Sequence, residues 1–275
     1  MIDPAKSTLY NITIQCALDG FCFVVHHHEE NKIIDIELYQ TSETADGNTI
    51  LEALEKTFFK KGLYGKPLRS LRFLMANPYY VLVPETLFDE AQRESYLRFN
   101  HLLPARYSLF HQAIPTAEAV MVFAMPQHQA DSIHKVWPEA VITHQASQWL
   151  QAVLKEEPYE CDTNAYVNVN SRSFDLALIH EGRIRFFNNF RFNTKDDFAY
   201  FLLFTLEQQG LAGQDIPVHF TGLVSNQSEI IRLCERYIKR IRFARPNGSV
   251  NVDMALNGTP FQYYYIPYQS LSCES

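Results

Sequence analysis

The sequence predicts a mixed α/β fold (α+β, with mixed sheets) in which a β-β-β-α-β-α unit is used twice. The first observation is a run of three strand patterns over residues 9–40. The second is the return of the same strand–turn–strand–turn–strand pattern at Asn164–Phe192. The third is that helix and strand patterns alternate after each run. Together they predict two similar lobes with a cleft between them, on similarity of pattern rather than of residues.

The first predicted meander consists of LYNITIQCAL, FCFVV and KIIDIELYQ, in which apolar residues recur at every second position. Asp19-Gly20 predicts a two-residue type I′ turn after the first strand, because that turn needs positive φ at both positions. A loop of this length pairs Leu18 with Phe21. The apolar residues of both strands then point to the same core.

The rest of the first half alternates helix and strand signals. A capping box at Thr49 predicts a helix over about 49–61, and a second at Thr86 predicts a helix over about 86–100. The other predicted elements are LRFLMA, YYVLV, ARYSLFHQAI, EAVMVFAMP, Gln127–Trp137, AVITH and Ala146–Glu156. We assign residues 1–157 to the first lobe, with an inserted subdomain at about 76–140, because Pro158 and a polar stretch mark a boundary.

The second half opens with the repeated meander, whose predicted turns are Ser171-Arg172 and Glu181-Gly182. The elements predicted after it are the helix Lys195–Gln209, the strand DIPVHFTG, an amphipathic helix Ser228–Ile241 and C-terminal strands between Asn-Gly turns. We assign residues 158–275 to the second lobe. The C-terminal strands are candidates to pack back on the first lobe.

Composition and charge exclude several classes of protein. Hydrophobic content of 47% with 20% charged residues is that of an ordinary globular chain. The net charge of −7 argues against a broad nucleic-acid surface. Five cysteines without a C-x-x-C spacing argue against a disulfide framework or a thiolate zinc site. The N-terminal residues contain no long apolar h-region, and the chain contains no 18-residue apolar run, so we expect no signal peptide, no membrane span and a cytoplasmic location.

The run His26–His28, followed by two glutamates, has two interpretations. Imidazoles at alternate positions of a strand can bind Zn²⁺ or Ni²⁺ with a nearby carboxylate. The same residues also fit a polar hairpin tip, and the repeat favours that interpretation, because a single His180 precedes the tight turn in the second copy. We therefore predict no resident metal, and leave open whether the run ever binds one.

Two further clusters have a functional and a structural interpretation. Arg232, Arg236, Lys239 and Arg240 would share one face of the predicted helix, and with Arg242 and Arg245 they form a basic surface at 232–245. Such a face suits nucleic acid, but a solvated helix looks the same. The run Tyr263–Tyr265 is either a stacking platform for bases or sugars, or a half-buried terminal strand.

The duplicated unit, with the segments LYNITIQCALDGFCFVV and VMVFAMPQHQADSIHKVWPEAVITHQASQWLQAVL, resembles a bacterial protein family with an actin-like ATPase (ribonuclease H-like) fold and no assigned activity. It is distantly similar to the cytoplasmic platform proteins of type IV pili and type II secretion. The resemblance spans nearly the whole chain through loose motifs. It implies the fold and, for the platform proteins, action through protein–protein contacts.

In active proteins of this fold, two hairpin turns hold the phosphates and a glycine loop in the second half holds adenosine. Carried to this chain, the resemblance implies these candidate nucleotide-binding residues: Asp19, Gly20, Ser171, Ser173, Thr221 and Gly222. All three loops depart from the family pattern. The first lacks a spacer and a hydroxyl residue, the second lacks glycine, and the third has one glycine only. Asp35 and Asp175 are the acidic candidates for holding Mg²⁺, but both lie at ordinary strand positions.

We therefore predict a protein that is non-catalytic or binds nucleotide weakly, with ATP and Mg²⁺ as the candidate cofactor, and that acts on an unidentified protein partner. The first alternative is an ATP-dependent phosphotransferase or ATPase with degenerate phosphate loops. The second is a nucleic-acid-associated protein that uses the basic surface at 232–245.

Overall fold

The structure is a computed structural model that describes residues 2–17, 19–41, 47–103, 105–155, 161–211, 215–256 and 258–271. Its strands are β1 (Tyr10–Ala17), β2 (Gly20–His27), β3 (Lys32–Gln40), β4 (Ser70–Met75), β5 (Tyr80–Pro84), β6 (Tyr107–Ile114), β7 (Ala119–Pro126), β8 (Val141–His144), β9 (Thr163–Val169), β10 (Ser173–His180), β11 (Arg183–Arg191), β12 (Pro217–Gly222), β13 (Arg240–Phe243) and β14 (Asn251–Val252). Its α-helices are α1 (Gly47–Lys60), α2 (Arg93–Asn100), α3 (Gln127–Val136), α4 (Gln145–Leu154), α5 (Lys195–Gln208), α6 (Glu229–Cys234) and α7 (Tyr265–Leu271).

Within the described ranges the strands form three sheets. The first has the order β14-β3-β2-β1-β4-β8 and the second has the order β11-β10-β9-β12-β13. In each of these sheets, three antiparallel strands form a meander. Two further strands lie on the other side of the meander's first strand and run parallel to it. The third sheet, β5-β7-β6, is antiparallel and comes between β4 and β8 in the chain. The predicted mixed α/β fold with a duplicated unit is confirmed.

The chain divides into two compact units. The first comprises Met1–Gln148, Gly248–Gly258 and Pro267–Ser275, and the second comprises Trp149–Asn247 and Thr259–Ile266. The boundary expected between residues 157 and 158 lies outside the described residues. In the first unit, the two residues of β14 pair in parallel with Lys32 and Ile33 of β3, which places β14 at the edge of the first sheet.

Each unit has its own aromatic core beneath its sheet. In the first unit, Phe58 of α1 packs edge-on against Phe23 of β2, with ring centroids 5.1 Å apart, and against Trp137 at 4.9 Å. In the second unit, Phe198 of α5 lies 4.4 Å from Phe174 of β10. Edge and tilted ring contacts of this kind add to the burial of apolar area, so they fix each helix on its sheet.

Two predicted helix starts are wrong. Helix α1 begins at Gly47, so Thr49 lies inside the helix rather than capping it. The predicted helix at 86–100 is present only as α2, because two short 3₁₀ turns at Glu85–Leu87 and Glu90–Gln92 precede it. Asp89 caps the second of these turns, because its Oδ1 accepts a 2.9 Å hydrogen bond from the Ala91 amide.

The C-terminal region is mostly helical, which corrects the expectation of several strands. Apart from β14, its described residues form 3₁₀ turns at Met254–Leu256 and Phe261–Tyr263 and then the helix α7. Tyr264 and Tyr265 are buried, at 4% and 2% exposure. Neither interpretation of the tyrosine run fits these two rings, because a stacking platform needs accessible faces and the segment is not a strand.

Candidate functional site

The loops predicted to bind nucleotide in the second half meet at one edge of the second sheet. β9 and β12 are parallel neighbours that end at Val169 and Gly222. The turn from Asn170 to Ser173 follows β9, and the Leu223 amide after β12 donates a 2.7 Å hydrogen bond to the Val169 carbonyl. Ligands of open α/β sheets bind outside such carboxyl ends. Ser171, Ser173, Thr221 and Gly222 are therefore brought together at the edge where a ligand is expected.

Gly222 is explained by packing against β9. Its φ is 86°, and a Cβ at this position would lie 2.1 Å from the Val169 carbonyl oxygen and 2.9 Å from Asn168 Oδ1. Only glycine allows the two strand ends to approach so closely. The single glycine of the predicted adenosine loop thus has a structural role that needs no ligand.

Thr221 directs its hydroxyl into the protein. The side chain is 3% exposed, and Oγ1 lies 3.2 Å from Asn168 Oδ1 and 3.4 Å from the Val167 carbonyl oxygen. The single hydroxyl proton can serve either acceptor. This residue therefore joins β12 to β9 from within the sheet.

A buried carboxylate lies in the same network. Asp175 of β10 is 1% exposed; its Oδ2 accepts a hydrogen bond from Asn168 Nδ2 at 3.0 Å and its Oδ1 accepts one from Asn189 Nδ2 at 2.8 Å. A carboxylate buried in this way must have its oxygens hydrogen-bonded. Here each oxygen is already engaged by a neutral amide from a neighbouring strand.

Sequence reasoning missed this network because it considered Asp175 alone. The available signal was the polar face of β9, where Asn164 and Asn168 alternate with Ala165 and Val167 in a strand buried on both faces. Buried amides in a sheet need partners on adjacent strands. That requirement points to Asp175 as soon as the antiparallel pairing of β9 with β10 is known.

The predicted hairpin of the first half forms with a different register. Gly20 pairs with Ala17 and Phe21 pairs with Cys16, so residues 18 and 19 connect the strands and Asp19-Gly20 is not a type I′ turn. The predicted pairing of Leu18 with Phe21 is wrong, and Leu18 itself lies outside the described residues. A Cβ on Gly20 would lie 2.0 Å from the Tyr39 carbonyl oxygen. The glycine is needed because β3 approaches closely.

Asp19 makes its described contacts through its backbone. Its carbonyl accepts a 2.8 Å hydrogen bond from the Thr41 amide. Asp35, the other acidic candidate, forms an ion pair with Lys61, which also pairs with Glu37 at 2.7 Å. The ion pair between Asp35 and Lys61 therefore holds the end of α1 against β3.

A second polar cluster, which the sequence did not indicate, lies at the carboxyl ends of β1, β4 and β8. Gln15 Nε2 donates to Gln145 Oε1 at 2.9 Å. His144 Nε2 donates to the Asn77 carbonyl at 3.0 Å, and His144 Nδ1 accepts from the Ala146 amide at 3.2 Å. Burial lowers the pKa of His144 to about 3, opposed by the hydrogen bond to Asn77, so the imidazole is neutral.

This amide cluster retains unused hydrogen-bonding capacity. Gln15 Oε1 and Asn77 Nδ2 are buried atoms without a hydrogen-bond partner, and so is Oε1 of Gln148, which lies one turn after Gln145 on α4. Unsatisfied buried polar atoms are uncommon because each costs free energy. The cluster offers amide donors and acceptors, which suit hydrogen bonding more than acid–base catalysis.

The histidine run does not form the solvated hairpin tip that we expected. His26 and His27 are buried at 4% and 5% exposure within β2, and only His28 is exposed in the turn. His26 lies between two asparagines, with Nδ1 3.3 Å from Asn11 Nδ2 and Nε2 3.2 Å from Asn31 Oδ1. Both nitrogens of this ring are used within the protein. Across the described ranges, no three His, Cys, Asp or Glu side chains are grouped as a metal site requires.

The basic surface at 232–245 is not one helical face. Helix α6 ends at Cys234, and Arg240 and Arg242 belong to the strand β13. Arg240 donates to Cys161 Sγ at 3.1 Å and to the Asp215 carbonyl at 3.2 Å. Arg236 lies over the Tyr237 ring at 5.7 Å. The predicted array for nucleic acid is therefore wrong in its geometry.

The repeated sheets define a protein with an actin-like ATPase fold. A Bacteroides thetaiotaomicron protein with an actin-like ATPase fold and unknown function matches with a TM-score of 0.81 at 18% identity, over 100% of both chains. A chain of the PilM–PilN type IV pilus biogenesis complex matches with a TM-score of 0.63 at 12% identity, over 95% of this chain and 97% of that one. The ethanolamine utilization protein EutJ from Carboxydothermus hydrogenoformans matches with a TM-score of 0.51 at 10% identity, over 94% and 88%.

The chain belongs to the family described as "Protein of unknown function (DUF3822)", whose model matches residues 1–241. The predicted resemblance to a bacterial actin-like family and, at a distance, to a type IV pilus protein is confirmed at the level of fold. No curated protein matches the chain significantly. None of the described helices is long and apolar enough to cross a membrane.

Proposed function

We propose that this chain is a cytoplasmic actin-like protein that acts by binding another protein and does not hydrolyse ATP. The observation that carries the proposal is the state of Asp175. Each of its two oxygens accepts a hydrogen bond from a side-chain amide, of Asn168 or of Asn189, and the side chain is almost fully buried. A carboxylate that holds Mg²⁺ or orients a water must present an oxygen to the ligand.

The predicted phosphate and adenosine loops add support. Gly20 and Gly222 are each explained by a close backbone approach, and the Thr221 hydroxyl faces inward. The similarity to a chain of the PilM–PilN complex supports action through a protein partner, since that complex joins two proteins. The similarity concerns the fold and does not identify the partner of this chain.

Phosphate release from Mg-ATP tests the proposal. We expect the purified chain to release phosphate at the rate of buffer alone, and the Asp175→Asn variant to behave identically. Turnover by the wild type that disappears in Asp175→Asn would overturn the proposal, because it would assign the chemistry to this carboxylate rather than to a contaminant. The Asn189→Ala variant serves as the matched control, because it removes one of the two amide donors and keeps the carboxylate itself.

Nucleotide binding without turnover is the second candidate, and the convergence of two predicted loops at the ends of β9 and β12 favours it. Ser171 and Arg172 are exposed in the turn between β9 and β10. A helpful test is thermal unfolding with Mg-ATP, since a ligand at 100 times its Kd stabilises the protein by about 2.7 kcal/mol. A shift that Arg172→Ala reduces would support this candidate, and an unchanged midpoint at millimolar ATP would remove it.

A further inference from the structure

Helix α5 carries apolar side chains on both faces. Phe198, Leu202 and Leu206 are buried against the second sheet, whereas Tyr200 and Phe204 are 59% and 44% exposed. A surface helix of a globular protein normally presents polar residues opposite its buried face. Two aromatic rings in that position leave a substantial apolar surface in contact with water.

The exposed rings are held in place by other rings. Tyr200 and Phe204 are four residues apart and stack at 5.6 Å with an interplanar angle of 13°. Tyr200 also contacts Phe201 edge-on at 5.4 Å, and Phe201 stacks on Phe190 of β11 at 5.8 Å. Phe190 in turn stacks on the core residue Phe174 at 5.2 Å. This ladder pre-orders the surface rings, so that binding to them costs little side-chain entropy.

Carboxylates flank the two rings. Asp196, Tyr200, Phe204 and Glu207 occupy positions i, i+4, i+8 and i+11 of the helix, and all four are exposed. We call these four residues the aromatic stripe. At about 1.5 Å per residue, its two carboxylates are separated by about 16 Å along the helix axis.

Two cations at the ends of α5 have local partners. Lys195 forms a 3.0 Å ion pair with Glu229 of α6, and Arg185 donates to the Gln209 carbonyl at 2.9 Å. The chain as a whole has a net charge of −7. The surface is therefore apolar in its centre and acidic at both ends, which repels phosphate backbones and anionic lipid and attracts a basic ligand.

We propose that the aromatic stripe is the docking surface for a basic amphipathic helix of a partner protein. Apolar side chains of that helix pack on Tyr200 and Phe204, and lysines or arginines about three turns apart pair with Asp196 and Glu207. Amphipathic helices bind protein surfaces in this way through apolar anchors at helical spacing, and aromatic residues dominate the centre of such interfaces. This inference rests on the proposed action through a protein partner and names the chemistry of that partner.

Site-specific photo-crosslinking of the whole chain in its native cells tests the inference. A benzophenone amino acid replaces Phe204 in one variant and Phe59, an exposed ring on α1 at 61% exposure, in the matched control. We expect an adduct from position 204 that position 59 does not form. The cross-linked peptide should carry lysine or arginine on both sides of apolar residues. No adduct specific to position 204, an adduct with a second copy of this chain, or a cross-linked acidic segment would overturn the inference.

A synthetic peptide of the cross-linked segment then separates docking from chance proximity. Fluorescence anisotropy should show Kd weakened at least about tenfold by Phe204→Ala and by Glu207→Lys, with Phe59→Ala unchanged. Equal binding by all variants would contradict docking on the aromatic stripe. Failure here, with ATP turnover still absent, removes the docking surface alone, whereas ATP turnover that depends on Asp175 removes the proposed function itself.

Discussion

The buried imidazole of His144 predicts a loss of stability in mild acid. Its side chain is fully buried, Nε2 donates to the Asn77 carbonyl, and Nδ1 accepts from the Ala146 amide, so a second proton would have to displace that amide. Burial lowers the pKa of His144 from 6.5 to about 3. Because the folded-state pKa is the lower one, the unfolded chain binds this proton first.

The magnitude follows from the pKa difference. The contribution of His144 to stability is fully present above pH 6.5 and is lost as the pH falls from 6.5 towards 3. One pKa unit corresponds to about 1.4 kcal/mol, so between pH 7 and pH 5 this residue alone lowers the free energy of unfolding by about 2 kcal/mol.

Urea unfolding of wild type and variants at pH 7 and pH 5 measures this effect. The change between the two pH values should be smaller by about 2 kcal/mol in His144→Gln than in the wild type. His128→Gln, at an exposed position of α3, should keep the wild-type change. Equal pH dependence in all three proteins would refute the reasoning, as would an NMR titration that places the pKa of His144 near 6.5.

Two further substitutions test individual contacts. In chemical denaturation, Gly222→Ala should lower the free energy of unfolding by at least about 2 kcal/mol, because the new Cβ would overlap the Val169 carbonyl. The control Gly258→Ala, whose Cβ would meet open space, should change the free energy of unfolding by less than about 0.5 kcal/mol. Lys61→Met should lower the free energy of unfolding by about 1–2 kcal/mol, because its largely buried ammonium pairs with two half-buried carboxylates on β3. Lys60→Met, at a side chain that is 73% exposed, should lower it by less than about 0.5 kcal/mol. Equal unfolding midpoints for the two lysine variants would contradict this expectation.

The second meander could be predicted well because its signals are local. The sequence predicts turns at Ser171-Arg172 and Glu181-Gly182, and β10 runs between them. Glu181 and Gly182 have φ of 48° and 74°, which a two-residue turn of the predicted kind requires. Alternating apolar residues then determine which faces of the strands are buried.

The first hairpin and the basic surface could not be predicted correctly, because contacts distant in sequence decide them. Gly20 is required because Tyr39 of β3 approaches it closely. In the sequence alone, the same glycine after Asp19 resembles a turn signal. The amphipathic pattern at 228–241 predicts one helix, but Ile241 pairs with Val218 in the second sheet and the helix ends at Cys234. Sheet pairing overrides helical periodicity at that point.

The position of the candidate loops in the sheet was easier to predict than their chemistry. The resemblance assigns candidate residues to loops after β9 and β12, and the parallel pairing of these two strands makes the loops neighbours. The hydrogen bonds from Asn168 and Asn189 to the two oxygens of Asp175 depend on strand register, which no single strand reveals. The amide cluster around Gln15 and Gln145 likewise joins residues 130 positions apart.

A single-turnover measurement with the chain in excess over labelled Mg-ATP tests the central claim most directly, because it detects hydrolysis too slow for steady-state assays. The account predicts that ATP decays at the same rate with the wild type, with Asp175→Asn and with buffer alone. Faster ATP decay with the wild type, abolished in Asp175→Asn, would contradict this claim. It would show that Asp175 gives up its asparagine partners and acts on the bound nucleotide.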